Sequence, residues 1–290
     1  MRDRPNVRHD CHRRGGCRWA PDDAFCRYCG AGPEPEIEAG LHIHFINLDR
    51  SRERLAEFNA VNAHLTNCER FAAVDGKTLD IAALVAKGFV TADIVKDYTI
   101  GNIGAAMSNI ALWNRAIDGD RIVTAAEDDA VFNLGFERQA AEIIAGLPED
   151  WDFILWGYNF DLFMCFQMQP GASPCLTLFE QERLRAGVAA FQSQAIPASL
   201  YRLIWAFGLT CYSISPKGAR AFKSRCLPLA PKIVHCPEIA RAPPGGPNYR
   251  TVGIDNHMNA VYRDLKAYVC FPPLVATKNE NEKSTVQEPR

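Results

Sequence analysis

The sequence predicts an α/β fold, an open sheet with helices packed against it, preceded by a small cysteine-rich N-terminal segment. Three observations carry that prediction. Short apolar runs alternate with stretches of helical periodicity from residue 41 to residue 157, the β-α-β order of an α/β sheet. One run, residues 121–126 (RIVTAA), is nearly continuous in its apolar character, as a strand covered on both faces must be. Pro and Gly crowd into residues 30–36 with acids between them, a composition that continues neither helix nor strand and sets a boundary.

The elements follow in order. Residues 41–48 (LHIHFINL) read as a first strand, rich in β-branched and aromatic residues. Asp49-Arg50-Ser51 then opens a helix in which Leu55, Phe58, Val61 and Leu65 recur at helical spacing. Residues 70–74 form a second short strand closed by Asp75-Gly76, and a helix over 79–87 stops at Gly88. Gly101-Asn102-Ile103-Gly104 reads as an entry turn to a helix over 105–117, which Asp118-Gly119-Asp120 ends. The strand at 121–126 comes next, then a helix near 134–147 and a strand over 151–157. Residues 158–200 have no steady period and read as an insertion or acceptor-side loop system. A strand at 208–214 follows, then a helix opened by Ser215-Pro216, with Pro near its first turn. Residues 228–247 are dense in proline and therefore extended or turning. A helix over 253–265, a last strand at 267–271 and a polar, disordered tail at 278–290 complete the chain. This gives a head at 1–40, a main domain at 41–277 and the tail.

At 290 residues the chain can bury a substantial core. A 48% apolar and 23% charged composition is that of an ordinary globular protein. The formal net charge of −2 gives no global field of the kind that marks a nucleic-acid binder. No apolar run approaches the ~20 residues that span a bilayer, and the N-terminus has no hydrophobic signal core. Seven cysteines (Cys68, Cys165, Cys175, Cys211, Cys226, Cys236, Cys270) are scattered among apolar neighbours. Without an export signal they read as reduced thiols, and the expected location is cytoplasmic, with a peripheral membrane association left open.

Glu127-Asp128-Asp129 directly follows the buried strand. Three adjacent acids repel one another, so something must offset their charge; a solvated loop is one answer. The other follows from position, because open α/β sheets bind ligands outside the carboxyl ends of their strands. Carboxylates there suit Mg²⁺ or Mn²⁺, ions that bring substrate phosphates with them.

Several segments in order give the chain a likeness to a known family. They are residues 46–54 (INLDRSRER), 71–76 (FAAVDG), 101–109 (GNIGAAMSN) with Leu112-Trp113, 127–130 (EDDA), 211–219 (CYSISPKGA), and the distal Asp255 with 272–275 (PPLV). Together they resemble glycosyltransferase family 25, which includes lipooligosaccharide glycosyltransferases and the collagen galactosyltransferase domain, over residues 41–277. The resemblance implies a GT-A-like open mixed sheet flanked by helices, a nucleoside-diphosphate sugar donor (often UDP-galactose) and inverting transfer of a hexose to a hydroxyl of a glycan or glycolipid acceptor. It implies that Asp129 touches the Mn²⁺ or Mg²⁺ ion, with Asp128 at the ion or at the donor's ribose or sugar and Glu127 beside them. Through the matching segments it extends the donor site to Asn47, Asp49, Arg50, Arg54, Asp75, Gly104, Ser108 and Asn109. The family usually has Ser-His where this chain has Ser108-Asn109, so no titratable ring stands there.

The supporting residues each have a plain alternative. Arg50 and Arg54, four apart, could hold a diphosphate or could form a solvated basic helix face. Gly101 and Gly104 could let backbone amides approach a phosphate or simply make a turn. An inverting transfer needs a carboxylate base; Asp255 is the first candidate and Asp152 the second, although a helix N-cap would also explain Asp255. His257 is a candidate further metal ligand or a structural histidine. Trp113, Trp151, Trp156 and Trp205 are expected in the core.

Cys11, Cys17, Cys26 and Cys29 lie within nineteen residues beside His9 and His12. They form a candidate structural zinc site, with only the last pair at knuckle spacing. With the arginines around them they support one rival reading, a nucleic-acid-associated zinc protein carrying a non-catalytic α/β domain, which the near-neutral whole chain argues against. The other rival is a metal-dependent phosphohydrolase using the same acidic triplet.

Overall fold

A computed structural model describes residues 41–160, 162–169, 173–239 and 248–277. The expected zinc ligands Cys11, Cys17, Cys26 and Cys29 and the tail at 278–290 lie outside the described residues. The chain divides into two units between Gly40 and Leu41, and the second holds every described residue.

Thirteen strands are described: β1 (Ile43–Asn47), β2 (Cys68–Ala72), β3 (Val123–Glu127), β4 (Ala130–Phe132), β5 (Phe153–Gly157), β6 (Phe163–Gln167), β7 (Pro174–Leu178), β8 (Ser199–Trp205), β9 (Cys211–Ile214), β10 (Ile233–His235), β11 (Asn248–Arg250), β12 (Ala267–Phe271) and β13 (Val275–Thr277). The helices are α1 (Arg52–Val61), α2 (Ile81–Ala86), α3 (Ile100–Asp118), α4 (Phe136–Ala145), α5 (Gln181–Ser193), α6 (Pro216–Cys226) and α7 (Ile254–Asn259).

Nine of the strands form one open mixed sheet in the order β2-β1-β3-β9-β5-β12-β8-β6-β7. β1 runs parallel to β2 and β3, and β12 runs parallel to β5; β9 is antiparallel to both β3 and β5. The carboxyl ends of β1, β2, β3 and β5 therefore open on one rim.

The central strands are buried on both faces, and their sequences record it. In β5, Phe153 and Leu155 enter one core while Ile154 and Trp156 enter the other, so the whole strand is apolar. The first core packs α3, α6 and α7 through residues such as Trp113, Phe222 and Met258; the second packs α1 and α4 through Phe58 and Phe136. Some polar groups inside pair with one another: Ser213 Oγ lies 2.8 Å from Thr124 Oγ1 and accepts from the Trp156 indole at 2.8 Å. The four expected core tryptophans are buried, Trp151 the most accessible at 4%. The seven described cysteines are free thiols, each buried or half-buried. Among the described residues no helix is long and apolar enough to cross a membrane.

Three expectations need correction. Gly101-Asn102-Ile103-Gly104 is not an entry turn but the start of α3, whose N-cap is Thr99; its hydroxyl accepts from Asn102 N at 3.0 Å. The glycine at 104 serves packing, because a Cβ there would lie 2.7 Å from both Val74 O and Gly76 N. Residues 158–200 are not a loop system: they contain β6, β7, α5 and the start of β8. The expected helix at 253–265 is the short α7 followed by a 3-10 turn at Tyr262–Asp264, and a thirteenth strand, β13, follows β12 to pair with β4.

Candidate active site

The rim formed by the carboxyl ends of the parallel strands borders a cleft of about 500 Å³. Its floor is the end of β3, where Glu127, Asp128 and Asp129 all line the cleft. On one side stand Arg50 and Arg54, carried by the turn after β1 and the first turn of α1. Ala73, Val74 and Gly76 after β2 continue this wall, with Asn102, Ser108 and Asn109 along α3 behind them. The opposite wall comes from Asn159 after β5, the segment at 207–209 before β9, Tyr249 and Arg250 of β11, and 252–256 leading into α7.

The three acids differ in what holds them. Asp128 is tied down: Arg54 Nε donates to Oδ1 at 2.9 Å, and Asn47 Nδ2 donates to Oδ2 at 2.7 Å. Asn47 is itself held through Oδ1 by Arg70 Nε at 2.9 Å. Asp129 stands 3.7 Å from Arg54 at its Oδ2, and its Oδ1 is buried with no hydrogen-bond partner. Glu127 donates its backbone N–H to Thr210 O at 2.9 Å, which fixes the end of β3 against the entry to β9.

Electrostatics follow from that packing. Burial pushes the Glu127 carboxyl up to about 8, with Asp129 and then Asp128 adding to it and Asp255 contributing from across the cleft. Burial also raises Asp129; Arg54 opposes this and Asp128 reinforces it. For Arg54, burial alone would favour the neutral form, but the Asp128 hydrogen bond and the charges of all three acids hold the guanidinium more firmly protonated. One guanidinium therefore faces three carboxyls, and the cluster carries acid in excess.

That excess, together with the unpartnered Asp129 oxygen, fits a hard divalent cation. Among the described residues, the triplet does not bring three ligand atoms within 4.8 Å of one another. The residues suit an ion held by one or two protein carboxylates and completed by ligand phosphates, the usual manner of Mg²⁺.

The remaining sequence candidates are distributed unevenly. Asp255 lines the cleft and accepts from Gly208 N at 3.0 Å through Oδ2. Ser108 accepts from Val74 N at 2.9 Å and donates to Gly104 O, joining α3 to the loop after β2. Asn109 accepts the Tyr212 hydroxyl at 2.8 Å, and that hydroxyl accepts from the Trp113 indole; an amide does here what needs no titratable ring. Asp75 caps the 3-10 turn at Gly76–Thr78 and pairs with Arg50. Asp49 is 84% exposed and pairs with Arg70.

Asn47, Asp49, Asp75 and Gly104 flank the cleft without lining it, and two further candidates are not brought to it at all. Asp152 precedes β5 at the opposite rim, buried, accepting from Lys266 N at 2.8 Å and paired with Lys217 at 3.1 Å. Its buried carboxylate anchors the strand end. His257 is fully buried beneath the loop at 228–232, with Nε2 3.0 Å from Ala230 O; burial, then Lys232, lowers it to about 4. A neutral, enclosed imidazole there is a packing residue. Sequence reasoning missed Asn159, Phe207, Gly208, Tyr249 and Arg250. No local motif marks them, and they meet the acids only through strand order.

The fold and site define an α/β protein with an acidic cleft at the carboxyl rim of its sheet. Residues 41–230 match the family model described as glycosyltransferase family 25 (LPS biosynthesis protein), and the chain belongs to that family. It is 31% identical over 129 residues to a glycosyltransferase 25 family member of Anopheles gambiae, an alignment covering 40% of this chain. The chain spans about a fifth of that relative's length, 21%. Among solved structures, the apo form of mouse xyloside xylosyltransferase 1 is similar at 15% identity and TM-score 0.30, covering 64% of this chain and 58% of that one.

Proposed function

We propose that this chain is a metal-dependent, inverting glycosyltransferase that moves a hexose from a nucleoside-diphosphate sugar to a hydroxyl of a glycan or glycolipid acceptor. The observation that carries this reading is the acidic triplet at the floor of the cleft, with a buried Asp129 oxygen left without a partner. Family membership supports the reaction class.

In this reading Asp129 holds Mn²⁺ or Mg²⁺, and the ion supplies Lewis-acid neutralisation of the departing diphosphate. Asp128, fixed by Asn47 and Arg54, is pre-organised to orient the donor rather than to move. Arg50 stands at the cleft wall where a phosphate charge would need a counter-cation. Asp255, on the wall facing the acids, takes the acceptor hydroxyl's proton as that oxygen attacks the anomeric carbon from the side opposite the leaving group. Galactose is the first sugar to test.

Isothermal titration of UDP with and without Mn²⁺ tests the core of it. Binding that depends on the ion and is lost in Asp129→Ala supports the reading. UDP binding that is absent, or indifferent to both changes, overturns it. A donor screen read by mass spectrometry, with acceptor present and omitted, then separates transfer from simple hydrolysis, and Asp255→Asn is expected to lower the transfer rate by ~10²-fold or more with UDP affinity retained.

A further inference from the structure

A second cluster of chemistry-bearing side chains lies at the other end of β1. His42 and His44 stand two residues apart and so project to one face, and His44 pairs in register with Glu69 of β2, the edge strand. The three residues bring one ligand atom each within 4.8 Å of one another. His42 Nε2 lies 3.3 Å and His44 Nδ1 2.8 Å from the same Glu69 Oε1. Donor atoms around a zinc-sized ion stand about 2.9 Å apart at right angles and about 3.3 Å apart in a tetrahedron, given metal–ligand bonds of ~2.0–2.1 Å.

His42 Nδ1 is 2.6 Å from Asn67 Oδ1, an acceptor, so Nδ1 carries a hydrogen and Nε2, turned toward Glu69, is the nitrogen a metal would take. A neighbouring acceptor that fixes the ring in this way is the usual companion of a metal-binding imidazole. His44 Nδ1 stands 2.8 Å from Glu69 Oε1, which can only accept, so this nitrogen donates to the carboxylate and would release its proton to bind a metal. Three ligand atoms thus converge on one point. The cation beside them here is Arg115, 3.0 Å from Glu69 and 5.4 Å from the centre of the Phe71 ring, with its side chain 40% exposed.

We propose that His42, His44 and Glu69 form a site for a divalent transition metal of the zinc class, bound in exchange for the Arg115 guanidinium. Two imidazoles and one carboxylate select Zn²⁺, Co²⁺, Ni²⁺ or Cu²⁺ over the hard cations that suit the acidic cleft. The site is separated from that cleft by most of the length of β1, about 10 Å from His44 to Asn47, and its ion ties the edge strand to its neighbour.

Co²⁺ titration of the full chain, followed by visible absorption, tests this. Nitrogen and oxygen ligation gives ligand-field bands without thiolate charge transfer, which distinguishes the site from any bound by the N-terminal cysteines. Binding with that signature, displaced by Zn²⁺ and weakened about tenfold or more in His42→Ala and in Glu69→Gln, is expected. Both side chains are well exposed, at 43% and 49%, so these variants retain the fold. Arg115→Ala is expected to tighten Co²⁺ binding by removing the competing cation. Co²⁺ binding that is unchanged in His42→Ala and Glu69→Gln, that carries only thiolate charge transfer, or that is indifferent to Arg115→Ala overturns the proposal.

Discussion

Arg54 pairs with both Asp128 and Asp129, and much follows from that one guanidinium. Removing it leaves a buried acid cluster without its counter-charge. Arg54→Ala is expected to lower stability by about 2–3 kcal/mol at neutral pH, below the full value for a deeply buried pair because both partners keep some solvent contact. Urea unfolding checks it, and Mn²⁺ should recover part of the loss. The acid excess also sets a pH dependence. Glu127 is raised to about 8, so the folded state holds more protons than the unfolded one between its ordinary carboxyl range and pH 8. Stability therefore falls as pH rises through that window. His44 and His257, both lowered to about 4, act with the opposite sign, but only between about 4 and 6.5. Unfolding free energy should thus decline from pH 6.5 to 8 in the wild type and stay flatter in Glu127→Gln or with saturating Mn²⁺; a flat wild-type profile without metal would contradict the raised Glu127. The acids were legible in the sequence because adjacent carboxylates after a buried strand are conspicuous. Asn159 and Tyr249 were not, since a lone Asn or Tyr has the same local appearance in a wall as in a loop.

At the scale of elements, α3 shows how tertiary packing overrides propensity. Two glycines in its first turns cost helix stability, about 1 kcal/mol each relative to alanine, and on local grounds they mark a turn. Gly104 is there because the helix must touch Val74 and Gly76 backbone to backbone. Gly104→Ala is expected to destabilise by about 1–3 kcal/mol despite its better propensity, read as a lower denaturant midpoint, and to weaken UDP binding if the wall after β2 shifts with it. Gly187 in α5, with open space around it, is the control: alanine there should be neutral or stabilising. Strands covered on both faces, such as β3 and β5, were legible as continuous apolar runs. α5 was not, because only Val188 is buried along its thirteen residues, too thin a stripe to register as a period. β7 alternates faintly at the sheet's far edge, with Pro174 at its start.

For the whole molecule, the order of strands matters more than their number. The family match ends at residue 230, yet β12, Tyr249, Arg250 and Asp255 all lie beyond it. A chain cut at residue 230 would lose an interior strand, since β12 sits between β5 and β8, along with part of one wall of the cleft. Such a truncation is expected to lack a cooperative unfolding transition and near-ultraviolet circular dichroism, whereas a native-like signal would mean that β5 and β8 can close the gap directly. The open α/β class was readable from alternation alone; that the sheet is mixed was implied only by the family resemblance, because antiparallel insertion of β9 leaves no local trace.

That order also bears on synthesis. When β8 leaves the ribosome, the strand that must part it from β5 is still roughly sixty residues away. At ordinary elongation rates this is a wait of about 3–12 s. Through that interval two apolar strand edges stand open, able to zip onto each other or onto a neighbouring nascent chain, so yield in a cell should hinge on translation speed and holdase supply over this stretch.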